Sequence, residues 1–220
     1  HLSFAQTSQV PGYTALKSNP SGLFGGNADL GREKTDSFEL GIEMQRPQWQ
    51  WQNLAFYRQE DDLVDWTFDS SSPNSRQANA VDIEVIGFES VFTKRWSRAS
   101  VVAGYTYLDK HSDYGSAAVD SSFYALNYAR HRATVVLKVS PSSRWDVNFF
   151  QELRSQAANA LRGSSDDAYN AALSVDWRPR IGSDLTINGT IDNLTNSNFE
   201  EFPGTPASRR QVSLTARYLW

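Results

Sequence analysis

The sequence contains no cysteine, which excludes a disulfide-stabilised scaffold and any metal site built on thiolates. It has no apolar run that approaches the roughly 20 residues of a membrane-spanning helix, and its mean hydropathy is low, at -0.52. Excess positive charge is also lacking: the formal net charge is -4, so no nucleic-acid partner is expected. The chain begins at His1 without a signal peptide, which predicts a mature, processed or fragmentary chain.

Aromatic residues are abundant instead, at 13% of the chain with seven tryptophans. Low mean hydropathy with many aromatics fits a membrane β-barrel, where only alternate residues meet lipid, but it also fits a soluble sandwich. The end of the chain alternates in the same way. Val212, Leu214, Ala216, Tyr218 and Trp220 share one face of a strand. The other face has polar and charged residues: Gln211, Ser213, Thr215 and Arg217.

Period-two alternation recurs along the whole chain and helical periodicity is scarce, which predicts an all-β protein. No linker or change of composition divides residues 1–220, so a single domain is expected. About ten strands are predicted, each near the ~9–11 residues that a tilted strand needs to cross a bilayer. They lie at Leu2–Ser8, Ser37–Gln45, Gln50–Gln59, Val81–Phe92, Ala99–Asp109, Tyr128–Val139, Trp145–Leu153, Ala168–Trp177, Asp184–Asp192 and Gln211–Trp220.

The connections between these strands alternate between long and short. The long ones, such as Glu60 to Ala80, are rich in Asp, Ser, Asn and Gly, whereas the short ones carry only basic charges. Four tryptophans, Trp49, Trp96, Trp145 and Trp177, lie beside the short turns. One plain rim with an aromatic girdle and one elaborate rim are typical of an antiparallel, up-and-down transmembrane barrel.

The predicted strand faces support a polar interior. Phe38, Leu40, Ile42 and Met44 alternate with Glu39 and Glu43, and Ile86, Phe88 and Phe92 are predicted to oppose Glu84 and Glu89. Carboxylates are costly in a dry core but are hydrated or paired in a wet lumen. Arg130 and Arg132, predicted to share a face, and Arg217 are the expected partners.

Several segments resemble the late part of TonB-dependent outer-membrane receptors. The stretch from Gly26 to Gly41 resembles their Gly-Asn-x-x-Leu-x-x-Glu-Lys loop and the following Glu-Leu-Gly strand. Gly87-Phe88-Glu89, Tyr105-Thr106-Tyr107 and Asp192-Asn193-Leu194-Thr195-Asn196 with Phe199 resemble later elements in family order. Gly31-Arg32, Phe199 and Trp220 depart from the usual x-Pro, Tyr and Phe. The vitamin B12 and siderophore branches match about equally.

This resemblance implies a C-terminal portion, about ten strands, of a 22-stranded family barrel in the bacterial outer membrane, without its plug. The implied function is TonB-dependent uptake of a bulky scarce nutrient such as cobalamin or an iron-siderophore, which this portion alone is not expected to perform. The implied partners are outer-membrane lipid, the small-molecule ligand, the barrel assembly machinery and, through the absent N-terminal region, TonB. The implied assembly signal is Leu214, Ala216, Tyr218 and Trp220.

Ligand contact is expected on the long loops, because loops on a rigid scaffold carry binding. The candidate residues are aromatics in or near these loops: Tyr13, Phe24, Trp66, Phe68, Tyr114 and Phe123. They can equally well pack the loops together. No cofactor, metal site or catalytic residue is expected, since His111-Ser112-Asp113 are adjacent and cannot converge as a triad.

Two other interpretations remain open at this stage. The chain can be a complete small outer-membrane barrel, either a porin-like channel or an enzyme with its site at the rim. It can also be a soluble β protein that binds glycans, which would be extracted without detergent.

Overall fold

The computed structural model describes residues 1–71, 76–179 and 184–219. The elements found there are one short helix, α1 (Tyr13–Lys17), and the strands β1 (Leu2–Gln9), β2 (Phe24–Gly25), β3 (Glu33–Arg46), β4 (Trp49–Phe68), β5 (Arg76–Arg95), β6 (Ala99–Asp113), β7 (Ser121–Ser122), β8 (Ala129–Ser142), β9 (Trp145–Gln156), β10 (Asp167–Trp177), β11 (Leu185–Asp192), β12 (Glu200–Phe202), β13 (Thr205–Pro206) and β14 (Gln211–Tyr218). No helix within those described ranges is long and apolar enough to cross a membrane.

Ten long strands form one antiparallel meander in the order β1-β3-β4-β5-β6-β8-β9-β10-β11-β14. Each of the ten predicted strands corresponds to one of them, so the predicted all-β, up-and-down architecture is confirmed. β1 and β14 are the edges of this sheet, which does not close on itself within the described residues. β12 and β13 form a separate hairpin.

The hairpin of β4 and β5 is longer than the sequence predicted. Both strands have 20 residues, so most of the predicted loop from Glu60 to Ala80 is paired strand. The ladder shifts between Glu60 and Leu63, where Asp62 has a φ of 55° and its N–H donates to the Asp82 carboxylate. The acidic run therefore forms a β-bulge, not the start of a loop, and β-forming residues resume beyond it.

The two faces of the sheet differ as predicted for the central strands. Phe38, Leu40 and Ile42 on β3 are 50%, 55% and 58% exposed on the outward face, while the register places Glu39 and Glu43 on the opposite face. Glu89 also faces inward, opposite Leu54 and Thr106. Apolar side chains outward and carboxylates inward are the pattern of a barrel with a polar lumen.

The prediction of a lumen position is wrong for two residues, Glu84 and Arg130. Glu84 lies two residues from Ile86 on the same strand and therefore on the same outward face, because side chains alternate with period two. Arg130 lies within the register shift between Ala129 and His131 at the start of β8. It pairs with Asp109, at 3.3 Å, and Asp109 stands opposite Ile86 in the ladder. Arg132, by contrast, faces the lumen.

The short turns form a common rim with the predicted tryptophans. Trp145 and Trp177 are register partners and their rings stack with centroids 5.8 Å apart. Trp49 packs against Phe92 at 6.2 Å on the outward face. At the other end of the chain, Leu214, Ala216 and Tyr218 line the outward face of β14, whereas Trp220 lies outside the described residues.

Candidate functional site

The long connections gather around the outer end of the β4–β5 hairpin. β2, from the connection between β1 and β3, pairs with β5. β7, from the connection between β6 and β8, pairs with β4. The loop that begins beside β3 therefore passes β4 to reach β5, and the loop that begins at β6 passes β5 to reach β4. The two loops thus cross the hairpin and hold it between them.

The loop 114–128 is fastened by one buried carboxylate. Asp65, 1% exposed, accepts hydrogen bonds from the Tyr114 hydroxyl at 3.0 Å and from the backbone N–H groups of Tyr124 and Ala125 at 3.0 and 2.8 Å. Ala125 packs with Val81, Ile83 and Val85 on the inward face. The only hydrophobic core cluster of fully buried residues in the described parts of the chain thus lies beneath this loop.

Burial also affects Tyr114 and Tyr124 in this loop. Desolvation raises the pKa of Tyr114, and the adjacent Asp65 carboxylate raises it further. Desolvation likewise raises the pKa of Tyr124, with a further contribution from Glu60, whose carboxylate accepts from the Tyr124 hydroxyl at 3.3 Å. Both groups are therefore neutral hydrogen-bond donors at any physiological pH.

An aromatic platform lies at the rim and is built from four separate segments. The Phe123 and Phe202 rings stack with centroids 4.6 Å apart and an interplanar angle of 23°. The Arg76 guanidinium lies over Phe68 at 4.4 Å and over Phe202 at 5.9 Å. We refer to Phe68, Arg76, Phe123 and Phe202 as the rim platform. Phe123 remains 45% exposed, so one edge of it is open to a ligand.

A cleft of about 520 Å³ lies beneath the rim platform, with Phe123 in its wall. Its charged wall is a network on the inward face: Arg132 donates to Glu152 at 2.7 Å, Arg154 also pairs with Glu152, and Arg154 donates to Glu201 at 3.1 Å. Glu152 is 4% exposed. Glu201 belongs to β12, so this network ties the β12–β13 hairpin to the barrel wall.

A second cleft, of about 730 Å³, opens beside the hairpin. Side chains that line it are amides, a hydroxyl and two carboxylates, with small residues between them: Asn27, Asp29, Thr67, Asp69, Gln77, Asn79, Ala117 and Ala118. Its wall is formed by both crossing loops and the hairpin. This chemistry offers hydrogen bonds without an aromatic surface.

The six predicted ligand residues are divided by the fold. Phe68 and Phe123 meet in the rim platform, and Tyr13 on α1 is 81% exposed. Phe24 and Trp66 pack edge to face at 5.5 Å, and Tyr114 is bound to Asp65. Sequence reasoning missed Arg76 and Phe202. Phe202 stands in the long connection from Asn193 to Arg210, so the same aromatic-in-loop criterion would have found it.

Within the described ranges, no three His, Asp or Glu side chains are arranged to hold a metal ion. The histidines lie apart, with His131 bound to Tyr105 on the outward face at 2.8 Å.

Comparisons with known proteins agree with this geometry. The family description "TonB dependent receptor-like, beta-barrel" matches residues 1–194. No curated protein sequence matches the chain. Solved structures share the fold: "Copper transporter OprC" has a TM-score of 0.70 at 14% identity, covering 99% of this chain and 36% of that one.

The ferric-catecholate import receptor Fiu from K12 E. coli has a TM-score of 0.69 at 17% identity, covering 99% of this chain and 32% of its own. The siderophore receptor PirA from Pseudomonas aeruginosa has a TM-score of 0.65 at 18% identity, covering 100% and 36%. At these identities the likeness establishes the fold alone. The chain spans about a third of the length of these structures.

Proposed function

Because this chain belongs to the family of TonB-dependent receptor-like β-barrels, we propose that it is the C-terminal part of a receptor that imports a bulky scarce nutrient. It is an integral outer-membrane protein, as its family is. The substrate we propose is a metal chelate such as an iron-siderophore, or a molecule of similar size such as cobalamin. The part described here contributes ligand contacts and barrel wall and does not transport by itself.

The observation that carries this proposal is the rim platform above the charged cleft. Flat aromatic surface at the mouth suits a large planar or aromatic ligand, and the arginine and carboxylate side chains below supply orienting hydrogen bonds. The similar structures are a copper transporter, a ferric-catecholate import receptor and a siderophore receptor, which supports a metal or metal-chelate ligand. Phe68 and Phe123 are the predicted candidates that we retain for direct contact.

The other candidates receive different roles in this proposal. Tyr13 makes a peripheral contact from α1, whereas Phe24, Trp66 and Tyr114 hold the crossing loops in place and act on the ligand only through them. The further partners are outer-membrane lipid, the barrel assembly machinery reading Leu214, Ala216, Tyr218 and Trp220, and TonB through a region outside this chain. No enzymatic step is proposed.

The test is ligand affinity of the intact receptor against a panel of a ferric tricatecholate, a ferric trihydroxamate and cobalamin. Phe123→Ala and Phe202→Ala are each expected to lower the affinity for the ligand that the receptor binds on the order of tenfold. Phe38→Ala, which removes an equal ring from the outward face of β3, is the matched control and leaves affinity unchanged. Unaltered affinity in both rim variants overturns the assignment of the platform to the ligand.

Trp66→Ala and Tyr114→Ala distinguish contact from support. If these residues only hold loops, binding of the same ligand weakens together with increased protease cleavage of the loops. A loss of affinity without any change in cleavage places them in the site itself.

A further inference from the structure

The short turns after β3 and β5 carry charges of one sign only. Neither residues 45–50 nor residues 93–100 include an aspartate or a glutamate. The Arg95 N–H donates to the Gln48 carbonyl at 2.8 Å, so the two turns lie side by side and form one surface. The charged side chains of this surface are all basic: Arg46, Lys94, Arg95 and Arg98.

A cleft of about 430 Å³ lies between these two turns, at the opposite end of the barrel from the rim platform. Arg46 and Trp49 are register partners on the outward face, whereas Gln45 and Gln50 are partners on the inward face. Because both faces contribute to its wall, the cleft opens at the ends of the strands, and short turns of outer-membrane barrels face the periplasm. We call it the turn cleft; it is lined by Gln45, Arg46, Pro47, Trp49, Gln50 and Arg95.

The two arginines of the turn cleft are not neutralised by the protein. The Arg46 guanidinium lies over the Trp49 ring at 6.0 Å and donates to the Gln45 carbonyl at 2.8 Å. These contacts hold it beside the cleft without supplying a counter-charge. Arg95 is exposed, and its side chain has no hydrogen-bond or ion-pair partner among the described residues. The turn cleft therefore presents two guanidinium groups that can each bind an anion.

One acidic side chain, Glu43, comes close to the turn cleft but does not cancel its charge. It is the last carboxylate of β3 and stands two residues from Gln45 on the inward face, one row further into the lumen. Its carboxylate accepts a hydrogen bond from the Gln50 Nε2 at 2.7 Å. That bond also fixes the Gln50 amide, so that the free carbonyl oxygen of this side chain is left as an acceptor.

The side chains of the turn cleft determine which class of anion fits. A guanidinium group matches a carboxylate through two parallel hydrogen bonds. The amide oxygens of Gln45 and Gln50 have no donor among the described residues, and a peptide N–H can supply one, whereas a phosphate dianion offers acceptors only. Pro47 and Trp49 add apolar surface for the aliphatic part of a side chain. Carboxylates, N–H donors and aliphatic carbon occur together in an acidic peptide.

We propose that the turn cleft binds an acidic segment of a periplasmic protein, with carboxylates at Arg46 and Arg95 and peptide N–H groups at the two glutamine amides. The site is independent of nutrient binding, because it lies at the other end of the barrel from the rim platform. Its occupant arrives from the periplasm, since the cleft opens at the strand ends and not along the outward face. Such a contact fastens the barrel to a partner without entering the lumen.

The experiment measures fluorescence anisotropy of a short labelled peptide containing a Glu-Glu pair, with the intact receptor in phosphatidylcholine nanodiscs that expose both ends of the barrel. The peptide is expected to bind, and the same peptide with Gln-Gln is not. Arg46→Gln and Arg95→Gln should each weaken binding on the order of tenfold. Arg144→Gln removes the same charge from the exposed turn before β9, outside the cleft, and is the matched control that leaves the affinity unchanged.

Arg95→Lys separates recognition from general attraction, because it keeps the charge and loses the planar fork. We expect it to weaken binding nearly as much as Arg95→Gln, and heat-dependent gel mobility reports whether each variant is folded. Equal weakening by Arg144→Gln, full affinity in Arg95→Lys, or binding insensitive to both cleft variants overturns the site. Complete displacement of the peptide by phosphatidylglycerol in the nanodisc, or by inorganic phosphate at matched ionic strength, overturns the peptide as its occupant.

Discussion

The Tyr114 hydroxyl donates a hydrogen bond to the Asp65 carboxylate at 3.0 Å, joining residues 49 positions apart in the chain. Two backbone N–H groups of the same loop share this acceptor, so a carboxylate that is 1% exposed is satisfied by three neutral donors. Buried polar groups of this kind are stabilising when fully hydrogen bonded and costly when a partner is lost. The position of the loop 114–128, and with it Phe123, therefore depends on Asp65.

Replacement of Asp65 by asparagine tests this dependence. The NH2 group of the asparagine side chain would face at least one of the three N–H or O–H groups that now donate to Asp65, so that hydrogen bond is lost. We therefore expect the loop to lose about 1–3 kcal/mol of local stability. Hydrogen exchange at the amides of Tyr124 and Ala125 measures the loss directly. Asp69→Asn is the control, because within the described residues that carboxylate accepts hydrogen bonds from Ser71 in its own turn. Unchanged protection in Asp65→Asn contradicts this account.

Alkaline pH is expected to release the same loop. Burial and Asp65 raise the pKa of Tyr114 above its usual 10.0 in the folded protein. The neutral phenol is thus favoured by folding, so the stabilisation is complete below pH 10 and decreases as pH rises through the higher folded pKa. Protease cleavage of the loop should increase above pH 10. In Tyr114→Phe with Tyr124→Phe, cleavage should be independent of pH in that range, and a pH response equal to wild type would refute the explanation.

The barrel wall could be predicted from the sequence because each strand carries its own signal. Alternation in β3, from Phe38 to Met44, specifies both the strand and its lumen face without knowledge of any other residue. The errors arise where local signals conflict. The acidic run at Asp61 and Asp62 indicates a loop, but pairing with β5 absorbs it as a bulge. Glu84 was predicted to face the lumen, but it lies two residues from Ile86 and therefore shares its outward face.

The rim site could not be predicted to the same degree, because it depends on contacts between loops of unknown path. Phe123 and Phe202 are 79 residues apart and no periodicity relates them. Local sequence patterns likewise do not predict that β2 crosses to pair with β5 and that β7 crosses to pair with β4. Composition identified loops that supply the rim platform and two of its residues, while the pairings emerged only from the tertiary structure.

Glu152 is expected to be the most sensitive charge in the barrel wall. It accepts from both Arg132 and Arg154 and is 4% exposed. In Glu152→Ala two arginines lose their shared partner, but Arg154 keeps Glu201 and the Arg132 side chain is 49% exposed, so the loss should cost about 1–3 kcal/mol. Denaturant unfolding of the intact receptor measures this, with the exposed Glu43→Gln as a control of small effect. An equally small effect of Glu152→Ala would show that water replaces the carboxylate.

Gly87 is required by the ring of its cross-strand neighbour. Phe56 lies opposite Gly87 in the ladder, and a Cβ at Gly87 would collide with the Phe56 ring. Gly87→Ala is therefore expected to displace Phe56 and to destabilise the barrel by about 1–3 kcal/mol. Gly189→Ala, where a Cβ meets open space, is the matched control. Equal thermal stability of the two variants would mean that Phe56 has another rotamer available at no cost.

The proposed function also predicts the size of the native polypeptide. The chain of 24.7 kDa covers 36% and 32% of the copper and ferric-catecholate structures, so an antibody against it should detect an outer-membrane protein about three times as large. Such a band supports a receptor of which β1 and β14, the edge strands here, pair with further strands. A band at 24.7 kDa would instead require the ten long strands to close among themselves or to assemble from several copies, since unpaired backbone is not tolerated in lipid. In that case energised uptake is rejected, and a small channel or a rim enzyme becomes the function to test.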